Sequence, residues 1–258
     1  MQRCRQWFKA LAIAAMFVAG IVAVSTVMPA LRLLLGKKSA ALNDAIVVSW
    51  NRAVCRILNL RLHIRGRPDA NARLVVANHI SWLDIIALGA QGPCLFVAKR
   101  EVADWPVMGY LAKGIGTLFV QRGDTGQSAA VAERMAWQLR QGKRLVLFPE
   151  GTTTTGDRVL RFHGKLLHPA QLAGAHVQAV ALRYDGAAKE CAPFVGEDEF
   201  LPHLLDILKL ERIDLHVHYC PAVPPGPGRN ELAQTTRQQI VAALDAGHSC
   251  RGLAVMNS

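Results

Sequence analysis

The segment Asn78-His79-Ile80-Ser81-Trp82-Leu83-Asp84 contains the residue types needed for general-base chemistry. It follows the apolar run 74–77, which is typical of a buried strand, so His79 lies where the chain leaves the predicted sheet. A helix that begins at Ser81 leaves His79 in the preceding loop, where Asp84 can reach back to it. A carboxylate on one ring nitrogen orients the imidazole and raises its basicity, so the other nitrogen can take a hydroxyl proton. Ser81 and Asp84 also match a capping box, which explains Asp84 but not His79.

Two further segments could bind an anion. Phe148-Pro149-Glu150-Gly151-Thr152 ends a second strand-like run, and its Pro and Gly predict a tight loop with backbone N–H groups turned outward. Arg122 closes the β-rich run 117–121, and its guanidinium could hold a phosphate through two hydrogen bonds. Taken alone, the segment 148–152 also fits an ordinary turn after a strand, and Arg122 also fits a solvated surface residue.

The elements that position these segments alternate along the chain after residue 60. Strand-like runs are predicted at 74–77, 95–98, 117–121, 145–148, 177–182 and 215–219. Helices are predicted at 82–89, 107–113, 128–140, 165–173 and 231–246, and a Pro/Gly-rich loop at 221–228. This alternation predicts an α/β fold with a largely parallel central sheet flanked by helices.

An N-terminal membrane anchor is predicted before this domain. The 22 residues from Ala10 to Leu31 carry no charge, which is long enough to cross a hydrocarbon core of about 30 Å. The run is too long for a signal peptide and lacks a good cleavage site. It could span the bilayer once, or bend at Gly20 and Pro29 and enter one leaflet. The stretch 40–58 could form a second, interfacial helix, so we divide the chain into an anchor at 1–58 and a catalytic domain at 59–258.

The charge of the chain indicates a polyanionic partner. Lys and Arg outnumber Asp and Glu by 30 to 19, for a net charge of +11. The basic residues are scattered without interleaved aromatics, which favours an anionic membrane over nucleic acid. The six cysteines include no C-x-x-C pair, which argues against a zinc knuckle and a redox dithiol. A membrane-tethered nucleic-acid-binding protein remains the alternative of a different class.

Together, the three segments resemble the motif blocks of glycerolipid acyltransferases typified by 1-acylglycerol-3-phosphate acyltransferase. The His-x-x-x-x-Asp, Gly-x-x-Phe-x-x-Arg and Phe-Pro-Glu-Gly-Thr blocks occur in the family's order, at 79–84, 116–122 and 148–152. The stretch from Phe96 through Pro106 to Gly109 also matches. The resemblance covers residues 60 to about 185, and three blocks in register are far more specific than one.

The resemblance implies a role for each matched residue. His79 would deprotonate the acceptor hydroxyl and Asp84 would hold and polarise it. Arg122 would bind the acceptor's head group, at an end of the pocket shaped by Glu150, Gly151 and Thr152. The acyl donor would be a thioester of acyl carrier protein or coenzyme A, with no cofactor, no metal and no covalent acyl-enzyme. Because these donors are cytoplasmic, we expect the catalytic domain on the cytoplasmic face of the inner membrane, without a nucleic-acid partner.

The acceptor is less strongly indicated than the chemistry. The first expectation is 1-acylglycerol-3-phosphate, giving phosphatidic acid, and the alternative is a lyso-ornithine lipid or another lysophospholipid. Thr153 stands where the family often has Arg after the third block, and Ala179 where Pro is usual. Neither departure touches His79, so the inference of acyl transfer is unaffected. A Thr-rich third block also suits lyso-ornithine lipid acyltransferases.

Overall fold

The central sheet is seven-stranded and largely parallel in the computed structural model, which describes residues 2–120 and 125–255. Its strand order is β1-β7-β6-β2-β5-β3-β4, and every neighbouring pair is parallel except β6 and β7. The strands are β1 Leu60–Arg65, β2 Ala72–Ala77, β3 Leu95–Lys99, β4 Leu118–Val120, β5 Leu145–Leu147, β6 His176–Asp185 and β7 Ile213–Val223. The predicted α/β class and the largely parallel sheet are confirmed.

Helices cover both faces of the sheet, because β2 and β5 at its centre are apolar on both sides. The α-helices are α1 Gln2–Val22, α2 Met28–Leu35, α3 Ser39–Leu58, α4 Leu83–Gly89, α5 Met108–Gly114, α6 Thr125–Arg140, α7 His168–Ala173, α8 Ala188–Cys191, α9 Phe200–Lys209 and α10 Arg229–Val255. One core contains residues of α3, α4 and α9, and the other contains residues of α6, α7 and α10.

Several elements differ from the sequence prediction. β1, α8 and α9 were not predicted, and β7 extends to Val223, so Pro221 lies in a strand rather than in the expected loop. The sequence of β1, Leu-Arg-Leu-His-Ile-Arg, alternates between apolar and polar residues, so a strand signal was present there; in the structure β1 pairs with β7 at the sheet edge. The predicted helix 165–173 is a 3₁₀ turn, Gly164–Leu167, that continues into α7.

The N-terminal helices form an antiparallel hairpin along one face of the domain. A π-helical turn, Ala23–Val27, precedes Pro29, and its wider ring accommodates the missing N–H of the proline. The chain reverses beyond Pro29, at Gly36, whose φ of 53° is in the left-handed region that favours glycine. By length and composition, the helical segment Arg3–Leu58 contains a stretch apolar enough to cross a membrane.

Polar contacts at Lys9 and Met16 fix α1 to the rest of the molecule. Lys9 is buried, and its Nζ donates to the carbonyls of Leu58 at 3.3 Å and Leu210 at 2.8 Å. The indole of Trp50 donates to the carbonyl of Met16 at 2.7 Å. α1 therefore contacts both its hairpin partner α3 and the loop after α9.

Candidate active site

Asn78 brings the chain out of the sheet at the end of β2. Its side-chain amide donates to the carbonyl of Leu182 at 2.9 Å and accepts from the N–H of Leu182 at 2.8 Å. This pair of bonds continues the pairing between β2 and β6 by one position after the β2 backbone turns away. His79 follows immediately, so its loop starts from a fixed point at the C-terminal edge of the sheet.

His79 and Asp84 form the hydrogen-bonded pair that the sequence predicts. The Nδ1 of His79 lies 2.9 Å from Oδ2 of Asp84, and a carboxylate can only accept, so Nδ1 carries the proton. This tautomer leaves Nε2 as the basic nitrogen. The side chain of Asp84 is fully buried, whereas that of His79 is 17% exposed. The carboxylate is therefore shielded from water while the imidazole remains accessible.

Asp84 is held by three further hydrogen bonds. Its Oδ2 also accepts from the backbone N–H groups of Ile80 at 2.8 Å and Ser81 at 2.9 Å. Its Oδ1 accepts from the hydroxyl of Tyr184 at 2.8 Å. Burial, together with the charge of Asp84, raises the pKa of Tyr184 well above its usual value, so the phenol stays protonated as a donor. The capping-type bond from Ser81 and the bond to His79 coexist on one carboxylate oxygen.

Phe148 and Glu150, from the third block, support the loop of His79. The ring of Phe148 stacks on the imidazole at a centroid distance of 3.8 Å and an angle of 11°. Glu150 is buried, and its two oxygens accept from the N–H of His79 at 2.9 Å and that of Leu160 at 2.7 Å. Burial raises the pKa of Glu150, an effect that these two backbone bonds oppose.

The remaining predicted site residues are not described as contacts of the His79–Asp84 pair. Gly151 has a φ of 68°, and its N–H closes a turn to the carbonyl of Phe148 at 3.0 Å. Thr152 is exposed next to it. Arg122 lies outside the residues that the structure describes. The structure thus brings together His79, Asp84 and Glu150.

Thr153 and Thr154 connect the third block to its surroundings. The N–H of Thr154 donates to the carbonyl of His79 at 2.9 Å, and the hydroxyl of Thr153 donates to the carbonyl of Phe194. The N–H of Phe194 in turn donates to the carbonyl of Ile80 at 2.9 Å. The His79 loop is therefore bound on one side by the third block and on the other by the loop before α9.

Sequence reasoning missed Tyr184, Phe148 as a stacking partner, and Phe194. A signal for Tyr184 was present, because it lies two residues after Leu182 on the buried face of a strand. A phenol on that face needs a polar partner. Which partner it finds depends on the pairing of β6 with β2, which spacing along the chain does not reveal.

Comparison with known proteins identifies relatives of this chain. A family model described as Acyltransferase matches residues 61–183. A lyso-ornithine lipid O-acyltransferase of Pseudomonas aeruginosa is 42% identical over 198 residues, which cover 76% of each chain. A 1-acyl-sn-glycerol-3-phosphate acyltransferase of Neisseria meningitidis is 36% identical over 67% of this chain and 69% of that one.

A solved structure shares the fold over almost the whole chain. It is the 1-acyl-sn-glycerophosphate acyltransferase PlsC of Thermotoga maritima, with a TM-score of 0.69 and 17% identity over 95% of this chain and 97% of that one. At this identity the likeness shows the fold alone, whereas the sequence relatives show the family. The chain belongs to the lysophospholipid acyltransferase family and is an acyltransferase.

Proposed function

We propose that this enzyme transfers a fatty acyl group from an acyl thioester to the free hydroxyl of a lysolipid, with His79 as the general base. The observation that carries the proposal is the bond between Nδ1 of His79 and the fully buried carboxylate of Asp84. It fixes the tautomer that has a free, basic Nε2, and it stabilises the imidazolium that forms when Nε2 takes a proton.

The proposed reaction proceeds through two proton transfers at Nε2 of His79. Nε2 removes the proton of the acceptor hydroxyl as its oxygen forms a bond to the thioester carbonyl carbon. The resulting tetrahedral intermediate collapses with cleavage of the carbon–sulfur bond. The thiolate takes the proton from His79, so the products are the ester and the free thiol of acyl carrier protein or coenzyme A. His79 ends the cycle in its starting state, and this route requires neither a metal nor a cofactor.

Glu150 takes a positioning role in this proposal, and Arg122 a binding role. Both oxygens of Glu150 accept backbone N–H groups, so its carboxylate holds the loop of His79 against the third block. Gly151 and Thr152 follow at the rim of the same loop. The guanidinium of Arg122 would bind the anionic group of the acceptor, as the resemblance implies.

For the acceptor, we propose a lyso-ornithine lipid first and 1-acylglycerol-3-phosphate second. The hydroxyl of Thr153, which stands where the family often has an arginine, is directed to the carbonyl of Phe194 and adds no positive charge to the rim. Three exposed carboxylates, Glu197, Asp198 and Glu199, lie three to five residues after Phe194. This charge favours the ammonium of an ornithine head group over a phosphate monoester. The relative with 42% identity, whose name specifies lyso-ornithine lipid, supports the same order.

The experiment that tests the reaction is an acyl-transfer assay with the purified full-length chain in neutral detergent micelles. The acceptors are lyso-ornithine lipid, 1-acylglycerol-3-phosphate and lysophosphatidylcholine, each with acyl carrier protein and coenzyme A thioesters as donors. We expect the highest kcat/KM with lyso-ornithine lipid. A higher value for 1-acylglycerol-3-phosphate would reverse the proposed order, and no ester with any acceptor would contradict the proposed function.

We propose further that α1 lies in one leaflet at the cytoplasmic face instead of crossing the bilayer. Contacts with the domain run from Lys9 in α1, which donates to the carbonyl of Leu210 after α9, to Ser25 in the following π-helical turn. The hydroxyl of Ser25 lies 2.8 Å from that of Tyr110 in α5. This span is about 24 Å at 1.5 Å per residue. A crossing helix would leave the domain after its interfacial end, and these contacts would have to break.

Cysteine labelling distinguishes the two topologies. Cys4 is exposed near the start of α1, and Lys38 lies after the turn at its far end. The other cysteines, including the exposed Cys191, are first replaced by Ser, so that each variant has one cysteine, at position 4 or, through Lys38→Cys, at position 38. A membrane-impermeant maleimide added to intact spheroplasts should label neither variant. Both should react after lysis. Labelling of one position alone from outside would show that the helix crosses.

A further inference from the structure

A cleft of about 280 Å³ separates the hairpin turn from the catalytic domain, and the proposed reaction does not use it. One wall is formed by residues of α2, of the turn and of α3, between positions 28 and 47. The other wall includes Leu95, the first residue of β3, and Gly116, which precedes β4. Leu95 and Gly116 stand at the N-terminal ends of β3 and β4, which run parallel to β2, whereas His79 follows the C-terminal end of β2. The cleft and His79 therefore lie at opposite ends of the strands. The cleft is therefore remote from the site of acyl transfer.

Positive charge dominates the lining of this cleft. Arg32 and Lys37 come from the hairpin side, and Arg134 and Lys143 from the domain side. The one carboxylate in the lining is Asp44, which pairs with Lys143 at 3.2 Å. Across the described ranges 2–120 and 125–255, the other three cations have no carboxylate within ion-pairing distance. Cations from two walls that converge on one space favour an anion between them.

The α3 helix adds a second contribution. Its first residues, Ser39 and Ala40, line the cleft, and no side chain caps its N-terminus, although the N–H of Ser39 already donates to the carbonyls of Gly36 and Lys37 in the preceding 3₁₀ turn. The N-terminal N–H groups of a 20-residue helix carry partial positive charge, which attracts anions.

The side chain of Asn43 faces the cleft without a complete set of polar partners. It lines the cleft, is only 6% exposed, and its Oδ1 has no hydrogen-bond partner among the residues that the structure describes. A buried amide without a partner is unfavourable, and few such groups occur in folded proteins. Rotation of the amide by 180° would present two donors to an anion at this position. The side chain therefore has the chemistry and the placement of a ligand-binding group.

Exposed leucines beside the cleft indicate what kind of anion it takes. Leu33, Leu34 and Leu35 of α2 and Leu42 of α3 are 87%, 77%, 42% and 46% exposed, on either side of the cationic turn. A free phosphate would gain nothing from them. A phospholipid would place its acyl chains against the leucines and its phosphate among the cations.

We propose that this cleft binds the phosphate of an anionic glycerophospholipid, as a lipid site separate from the site of acyl transfer. Arg32 and Arg134 hold the phosphate from opposite walls, Asn43 donates to it, and the leucines contact the acyl chains. Occupancy would fix the hairpin turn to the domain at the depth of the lipid head groups. The inference does not depend on which lysolipid the enzyme acylates.

The test is calorimetric titration of the full-length protein in neutral micelles with dihexanoylphosphatidylglycerol, which is neither a proposed acceptor nor a proposed product. Dihexanoylphosphatidylcholine and inorganic phosphate are the comparison ligands. The cleft variant is Arg32→Gln with Arg134→Gln, and both residues are exposed, so we expect it to fold. The matched control is Lys165→Gln with Arg229→Gln, which removes two exposed charges that do not line the cleft.

We expect saturable binding of one phosphatidylglycerol per chain and at least a tenfold weaker Kd in the cleft variant, with the control pair within twofold of wild type. Asn43→Leu, of similar size, should weaken binding without lowering the melting temperature. Equal losses in cleft and control variants would overturn the proposal. So would inorganic phosphate binding as tightly as the lipid, or full affinity in Asn43→Leu. None of these readings requires turnover, so they are independent of the acyl-transfer assay.

Discussion

The Asp84→Asn substitution separates the charge of the carboxylate from its hydrogen bonds. Asp84 is fully buried, and Oδ2 accepts from Nδ1 of His79 and from the N–H groups of Ile80 and Ser81. An Asn that places its carbonyl at the Oδ2 position keeps all three bonds. Its NH₂ then faces the hydroxyl of Tyr184, which can rotate to accept. The opposite rotamer would direct an NH₂ at three donors, so the first orientation is strongly favoured.

The expected loss is therefore in turnover, with folding little affected. The Nδ1–H tautomer survives, so Nε2 remains available, but the imidazolium loses its negative partner. A charge-assisted hydrogen bond contributes about 1.5–3 kcal/mol, and each 1.36 kcal/mol lowers the rate tenfold. We expect kcat to fall roughly ten- to a hundredfold, with the KM of both substrates within twofold. The melting temperature should stay within a few degrees, since both backbone N–H groups keep their acceptor.

Tyr184→Phe is the matched control, because it removes a partner of Asp84 and leaves the charge. Oδ1 of the buried carboxylate then lacks its donor, so stability should fall by about 1–3 kcal/mol, with a smaller effect on kcat than that of Asp84→Asn. The assay is initial-rate kinetics per folded molecule, with melting followed by circular dichroism. If Asp84→Asn lowered stability but left kcat within twofold of wild type, Asp84 would be a helix cap and not a partner of the base.

Three further outcomes are expected. His79→Ala should lower kcat roughly 10²–10⁴-fold without loss of folding, and a variant with more than a tenth of wild-type activity would exclude His79 as the base. Arg122→Ala should raise the KM of the lysolipid about ten- to a hundredfold and that of the thioester far less. Arg122→Lys should rescue only partly, and an acceptor KM within twofold of wild type in neutral micelles would remove Arg122 from the site. Gly114→Ala places a Cβ 2.0 Å from a methyl group of Val24, so the melting temperature should fall, whereas Gly228→Ala, with open space around it, should leave it unchanged.

The acid–base pair could be predicted from the sequence because its geometry is local. His79 and Asp84 are five residues apart, and a helix that starts between them leaves few ways to arrange the two side chains. The structure begins α4 at Leu83 and makes the bond. Tyr184, 100 residues beyond Asp84, reaches the same carboxylate only because β6 pairs with β2. The sequence identifies a buried phenol there, but its partner depends on strand order.

Glu150 illustrates a similar limit. Its motif predicts a loop at the end of a strand, and β5 does end at Leu147. The carboxylate, however, accepts the backbone N–H of His79 itself, because β5 and β2 are neighbours in the sheet. Spacing along the chain contains no information on that adjacency. The resemblance alone implies that Glu150 shapes the substrate pocket, and the structure adds that its carboxylate holds the loop of His79.

The anchor shows why length and hydropathy alone do not determine topology. An uncharged run of this length is compatible with both a spanning and a one-leaflet helix, and the flanking basic residues are similar at the two ends. The distinguishing feature is contact at both ends of the apolar run. The ammonium of Lys9 is buried against the carbonyls of Leu58 and Leu210, 49 and 201 residues away, and the hydroxyl of Ser25 lies 2.8 Å from that of Tyr110. A buried ammonium costs free energy unless it is hydrogen-bonded, so detaching α1 would require breaking both contacts. The start of the anchor is thus bound to the catalytic domain by residues that follow it far along the chain, and those residues favour a helix that stays with the domain on one side of the membrane.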